Sequence, residues 1–404
     1  MPMPQELVDG IVENLEGDTL SLKCCSLAAR TFVTPSQRQL FRKIEIVPPS
    51  GIGDNPCQRL YDTLVKSPHL AELIVELRIV LMNDETSVEY EDGDLADGHC
   101  PQWILSDEAL SLPLSLTLPF LKLKGISLVE DSIQESNDGG RFSMHWNTLG
   151  GALKSALADV LSSPTLESVR LRGIVFDCPR DLLSLFSGAM SMKSLTLSRI
   201  YFDSPSESHE AWPEAQTWSP RLTCLVLAAM EGDEFVEFFL NPAIDLSQIT
   251  SFTVATGAKK VTSDIIAAVS SHNRVEHMAV FYIHTPLIKS LSTSQLRSLH
   301  FFTLDMCQTI SDIFTEYPAD SSLQVVTVDC RVRHTPASLN DVVEAGLVRL
   351  PLLKRLQIRA VHMDYPEEFP DWADHVRTAL PSLEGRGWLG ISLLEDDAWF
   401  ADWE

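Results

Sequence analysis

Leu166-Glu-Ser-Val-Arg-Leu-Arg-Gly-Ile-Val-Phe-Asp177 returns 26 residues later as Met192-Lys-Ser-Leu-Thr-Leu-Ser-Arg-Ile-Tyr-Phe-Asp203, with Ser, Leu, Ile, Phe and Asp at matching places. The shared frame is an apolar residue, two free positions, an apolar residue, one free position and a third apolar residue. That is the alternation of a half-buried strand with one anchor ahead of it. The frame occurs twelve times, starting at Phe41, Leu70, Leu123, Leu166, Met192, Leu222, Ile249, Val275, Leu296, Leu323, Leu353 and Trp388. From Leu166 to Leu353 successive starts lie 21 to 30 residues apart. One strand per unit, with helical sequence between units, predicts a solenoid in which each unit buries its apolar face against the next.

The period is that of leucine-rich repeats, and the expected fold class is α/β, with a parallel sheet on the concave face and helices on the convex face. Strands are predicted near 168-172, 194-198, 224-228, 251-255, 277-281, 298-302, 325-329 and 355-359. Helices are predicted near Leu149 to Leu161, Asp181 to Phe186, Asp233 to Leu240, Ser263 to Ser271, Ser311 to Tyr317 and Leu339 to Leu350. One position departs from the usual repeat, which places Asn or Cys three residues after the last strand leucine. Here Ile174, Ile200, Met230, Ile283, Leu304 and Val361 stand there, so the turns must satisfy their backbone groups in other ways and an irregular arc is expected. The predicted boundaries are a helical domain at 1-46 and a solenoid at 47-404. The solenoid is irregular over 47-165, regular over 166-360 and capped by 361-404. The gap between the frames at Leu70 and Leu123 holds an acidic stretch at 83-102 read as a solvated loop, a Leu/Pro alternation at 110-119 that two prolines exclude from a central strand, and a turn at Asn137 to Gly140.

The chain carries 31 Lys and Arg against 56 Asp and Glu, a formal charge of -25, and no basic run. Such a balance repels phosphate backbones and anionic lipid headgroups, which argues against nucleic-acid and membrane partners. The eight cysteines, at 24, 25, 57, 100, 178, 224, 307 and 330, never take C-x-x-C spacing and are expected to act as small buried apolar groups. The opening Met-Pro-Met-Pro-Gln-Glu lacks the basic start and apolar core of a signal peptide, so a cytoplasmic or nuclear location is expected.

Residues 4 to 44 show no strand alternation and read as three short helices. The first spans about Pro4 to Leu15, with Leu7, Val8, Ile11, Val12 and Leu15 on one face, and Gly17 ends it. The second starts at Asp18 as N-cap and runs toward Phe32, and Thr34-Pro35 opens the third, which ends near Arg42. So small a bundle must lean on the solenoid, on a partner, or on both.

The order Pro4-x-Glu6-Leu7-Val8-x-x-Ile11-x-x-x-Leu15, then Leu22-Lys-x-Cys25-Ser26-Leu27-Ala-x-Arg30-x-Phe32-Val33, then Arg38-x-Leu40-Phe41 resembles an F-box. It is especially similar to the F-box-like domains of mushroom-forming fungi, in which weak leucine-rich repeats follow. Two departures are Met3-Pro4 where the family usually has Leu-Pro, and Phe32 where it often has Trp. The resemblance implies that the bundle binds the small adaptor subunit of a cullin-RING ubiquitin ligase, while the repeats hold a protein substrate. It carries over to Pro4, Leu7, Ile11, Leu15, Cys25, Leu27 and Arg30 as adaptor-binding positions. A three-helix unit must also bury something inside, so Ile11, Leu15 and Leu27 fit either the interface or the bundle's own core. A scaffold outside any ligase, with a purely structural bundle, is the other reading.

Within the regular strands the outward positions carry one acid, Asp329, against Arg170, Arg172, Arg355 and Arg359, with His277, Phe281, His300 and Phe302 in the middle. This set predicts a substrate groove with an aromatic centre and flanking arginines, suited to a segment bearing acidic or phosphorylated residues. Strands disfavour Asp and Glu in any case, which supplies a bland account of the same pattern. The sequence holds no G-x-S-x-G, phosphate loop, H-E-x-x-H or G-x-G-x-x-G after a strand, so no enzyme activity, cofactor or metal is expected. His277 and His300 on neighbouring strands would need a third ligand to hold a metal.

Overall fold

The structure, a computed structural model, describes residues 3–48, 55–82, 110–111, 113–114, 122–130, 144–203, 218–229, 235, 238–239, 241, 244–255, 259–270, 274–281, 295–303, 305–317, 321–331, 339–361 and 366–394. The acidic stretch at 83-102, the turn at Asn137 to Gly140, the tail from Glu395 and the turn positions Met230, Ile283 and Leu304 lie outside the described residues. The fold is a three-helix N-terminal region followed by a repeating α/β solenoid of parallel strands flanked by helices. It divides into two compact units, one of Met1–Lys193 with Phe202–Pro220 and the other of Ser194–Tyr201 with Arg221–Glu404.

The first unit opens with α1 (Gln5–Glu13), α2 (Thr19–Ala28) and α3 (Arg30–Arg42), and α3 passes directly into β1 (Lys43–Ile46). Asp18 caps α2 as its sequence suggests, its carboxylate accepting from the Ser21 amide at 2.9 Å. Gly17 takes φ 89°, the left-handed conformation that ends the turn after α1. The third helix begins four residues before the expected Thr34 start. Ala29 is extended and separates it from α2, Phe32 N donates to Ala29 O in a tight first turn, and Pro35 sits inside the helix. Proline at that point deletes one hydrogen bond beyond the first turn, a local loss the helix absorbs.

From β1 the chain continues through α4 (Pro56–Lys66), a 3-10 turn at Pro68–Leu73, β2 (Glu76–Met82), β3 (Gly125–Glu130), β4 (Met144–His145), α5 (Gly151–Leu161), β5 (Ser168–Phe176) and α6 (Pro179–Phe186). Strands pair in parallel in the order β1-β2-β3-β5, while β4 pairs with the far end of β5. The frame expected at Leu70 is displaced. Leu70 belongs to the 3-10 turn that Pro68 opens, and Leu77 and Ile79 face Ile44 and Ile46 in register, so the anchor of this unit is Ile74. Two frames overlap in this apolar stretch, and proline selects the later one.

The second unit holds β6 (Ser194–Phe202), β7 (Cys224–Ala228), β8 (Ser251–Ala255), α7 (Lys259–Ser270), β9 (His277–Phe281), β10 (Ser298–Thr303), α8 (Met306–Glu316), β11 (Val325–Arg331), α9 (Asn340–Arg349), β12 (Arg355–Val361), α10 (Phe369–Ala379), α11 (Pro381–Gly385) and β13 (Leu389–Leu393). The strand order follows the chain order and every described pair is parallel. Each repeat contributes two inward strand residues, such as Leu299 and Phe301 or Val326 and Val328, to a core completed by Ile310, Ile313 and Phe314 of α8 and Val343 of α9. Burying one such side chain contributes roughly 1.5–3 kcal/mol. The last frame also shifts: Leu389 and Ile391 face Leu356 and Ile358, so the anchor position is held by Arg386 rather than Trp388. Arg386 is exposed, and the inward residues of β13, the last strand in the sheet order, are only half-buried.

At the departure from the usual repeat, Ile174, Ile200 and Val361 are fully buried. The residues just before the first two positions and before 230 are left-handed: Gly173 (φ 72°), Arg199 (φ 50°) and Ala229 (φ 49°). The strand end kinks through one left-handed residue, and an isoleucine then returns to the core where the usual repeat has an amide side chain.

Of the described cysteines only Cys57 and Cys330 are buried; Cys24 is exposed, and Cys25, Cys178, Cys224 and Cys307 are half-buried. The expectation of a uniformly buried set does not hold. Burial pushes the Cys330 thiol well above its ordinary pKa, which keeps it protonated and inert.

Candidate functional site

In the bundle, the inward stripe of α1 is Val8 and Val12, and α2 buries Leu22. Burying that narrow stripe leaves the remaining apolar side chains outside. Leu7 is 59% exposed, Ile11 42%, Leu20 74% and Leu27 87%. Pro4 and Arg30 are also exposed, while Leu15 and Cys25 are half-buried. Neither Ile11 nor Leu27 lies in the bundle's own core. Met3 and Leu20, absent from the expected set, join it by exposure. Leu20 stands seven residues before Leu27, so the two share one face of α2, a spacing legible in the sequence.

In the first unit, Arg170 and Arg172 stand two residues apart on β5 and both are half-buried. In the second unit, the outward rows can be followed by register. One row runs Ser251, His277, Ser298, Val325 and Arg355; the next runs Thr253, Ala279, His300, Thr327, Gln357 and Gly390. A third runs Phe281, Phe302, Asp329, Arg359 and Ser392. Ser, Thr, Ala and Gly hold seven of these sixteen positions.

The aromatic centre is real but mostly internal. Phe281 and Phe302 stack with centroids 4.8 Å apart and planes 10° from parallel. Phe302 is buried with Val361, and Ala255, Ala279, Phe281 and Leu394 pack against them. Phe281 itself is half-buried. Arg359 and His300 are likewise committed inside the protein: Asp329, fully buried, takes Arg359 Nε on Oδ1 at 2.7 Å and Arg359 Nη2 on Oδ2 at 2.8 Å. His300 Nε2 lies 2.9 Å from both Asp329 Oδ2 and Arg359 Nη2. That nitrogen can donate to the carboxylate or accept from the guanidinium, and not both. Burial raises the Asp329 pKa, but the bonds from His300 and Arg359 outweigh it and hold the carboxyl below its ordinary range.

His277 and Arg355 stay exposed at the start of their strands. The Arg355 guanidinium extends toward Gly390, where a Cβ would meet its Nη2 at 3.7 Å. Among the described residues no three His, Cys, Asp or Glu side chains are grouped closely enough to hold a metal, and no helix is long and apolar enough to cross a membrane. No protein-family model matches this chain, and no curated protein matches it.

The arrangement is that of a protein–protein interaction scaffold built from helical and repeat elements. Apolar side chains are presented on the bundle, and small polar side chains with basic groups on the repeats.

Proposed function

We propose that the chain is a recruiting scaffold in which the N-terminal bundle docks the small adaptor of a cullin-RING ubiquitin ligase and the repeats hold a protein for ubiquitination. The ligase part comes from the resemblance of residues 2 to 46 to an F-box. The observation that carries a docking role for the bundle is the exposure of Leu7, Ile11, Leu20 and Leu27 on helices whose inward stripe is already filled by Val8, Val12 and Leu22. Catalysis belongs to the recruited ligase, with this chain supplying proximity. On the repeats, Arg355 and His277 remain the exposed members of the expected substrate set, while Arg170 and Arg172 in the first unit are half-buried.

The same exposed leucines serve a second reading, an interaction scaffold whose bundle docks some other apolar groove. Co-purification with a cullin-RING adaptor separates the two. On the ligase reading the intact chain retains the adaptor, and Pro4→Asp with Leu7→Asp releases it. An intact chain that fails to retain the adaptor refutes the ligase reading and leaves the scaffold.

A further inference from the structure

At or shortly before the strand starts, side chains bridge neighbouring repeats in a series of rungs. In the first unit both rungs are ion pairs, Lys43 with Glu76 at 3.5 Å and Lys193 with Glu167 at 3.0 Å. Lys193, with Lys124 nearby, holds the Glu167 carboxyl below its ordinary pKa.

The second unit changes the acceptor. Arg274 Nη1 donates to the amide oxygen of Gln248 at 2.6 Å, and Lys354 Nζ to that of Gln324 at 3.3 Å. Among the described residues only the Arg297 rung keeps a carboxylate, Glu276 at 3.2 Å. A glutamine oxygen fixes a cation in place as a carboxylate does, but leaves its charge uncompensated. With Arg355 beside Lys354, the described residues place four cations along the leading edge of β9 to β12, one of them paired with the Glu276 carboxylate. In a chain of net charge -25 this strip is the inverse of the average surface. At physiological salt, charges more than about 8 Å away are screened, so the local sign governs what docks there.

We infer that this edge is a docking strip for an extended acidic segment of a partner protein, lying across the strands. Three strand spacings separate β9 from β12, roughly 14 Å, which four residues of an extended chain cover at about 3.4 Å each. Acidic side chains at the two ends of such a stretch reach the cations before β9 and before β12, and the half-buried serine and valine at the heads of β10 and β11 leave room for the backbone between. The inference rests on the reading of the repeats as the partner-holding part, and it is independent of what the bundle docks.

The test uses the full chain and a fluorescein-labelled peptide of alternating Glu and Ser, followed by anisotropy. Gln248→Glu with Gln324→Glu closes both open rungs while keeping their shape, and thermal unfolding confirms that the variant folds. The intact chain binds the peptide, rising ionic strength weakens binding, and the double variant loses about tenfold in affinity. No binding by the intact chain overturns the inference, as does equal binding by the variant or by the matching Gln/Ser peptide. A single-stranded oligonucleotide of equal length that binds more tightly than the peptide overturns the assignment to a protein partner. Adaptor retention by the bundle is scored in the same preparations, so failure of the strip and failure of the ligase reading are told apart.

Discussion

Arg359 grips Asp329 edge-on across two neighbouring strands, Nε at 2.7 Å from one carboxylate oxygen and Nη2 at 2.8 Å from the other. The acid is fully buried, so the arginine that sequence placed on a binding surface spends its charge on a structural carboxylate. Removing Arg359 takes the two-point guanidinium grip from a buried carboxylate and leaves it held by His300. Arg359→Met is expected to cost about 3–5 kcal/mol, and Asp329→Leu combined with Arg359→Met distinctly less, measured as a double-mutant cycle by chemical denaturation.

The same carboxylate predicts how stability varies with pH. Its folded pKa lies below the unfolded value, so its contribution is complete above the ordinary Asp range near 3.9 and is lost as pH falls through the folded value. Stability therefore declines on acidification from about pH 5 downward, and the Asp329→Leu, Arg359→Met double variant shows a shallower decline over that window. Thermal midpoints measured across the acid range check the slope.

Left-handed strand ends give opposite expectations at three positions. Ala229 and Arg199 each carry a Cβ in a conformation that costs roughly 1–2 kcal/mol for an L residue. Ala229→Gly should accordingly stabilise the chain by about 0.5–1 kcal/mol once the added backbone entropy of glycine is offset. Gly173→Ala should do the reverse by about 2–4 kcal/mol, because a Cβ there lands 2.6 Å from the Glu130 Cβ as well as in the left-handed region. Thermal unfolding of the two variants side by side tests both signs.

The repeat was legible because its signal is redundant: eight strands from Ser168 to Arg355 start at the residue that the apolar triplets indicate. Legibility failed where a single residue arbitrates. Pro68 moved the anchor from Leu70 to Ile74, and Arg386 takes an anchor slot that no apolar pattern could reveal. On the candidate surfaces, alternation told which side of the strand Arg359, His300 and Phe302 occupy, but not that Asp329 and Val361 on adjacent strands would draw them inward. Partner choice across strands depends on register, which one sequence does not contain. The rungs were missed for the same reason, since Gln248 and Arg274 meet only after the repeats stack.

Packing between α8 and α9 depends on one missing side chain. A Cβ at Gly346 would meet the Phe314 carbonyl oxygen at 2.7 Å and the Phe314 ring Cδ1 at 2.6 Å. Gly346→Ala gains helix propensity of about 1 kcal/mol yet must push the two helices apart, and overpacking of this kind costs about 1–3 kcal/mol or more. The net expectation is a loss of stability, and Phe314→Ala, which keeps the Cβ at 2.5 Å and the carbonyl oxygen, should relieve only the part of it that comes from the ring. A double-mutant cycle by thermal unfolding reads that coupling directly.

The bundle supplies the sharpest contrast between a core and a docking face. Leu27 is 87% exposed and Leu7 59%, while Val8 and Leu22, their sequence neighbours in kind, are buried. If the exposed leucines serve a partner and not the bundle, Leu7→Asp and Leu27→Asp should shift stability by no more than about 0.5 kcal/mol each. Val8→Asp or Leu22→Asp places a charge in the bundle interior and should unfold it, visible as lost helical circular dichroism and rapid proteolysis before β1. A stability loss at Leu27 equal to that at Leu22 would mean that the leucine packs within the chain, and the docking role of α2 would fall with it.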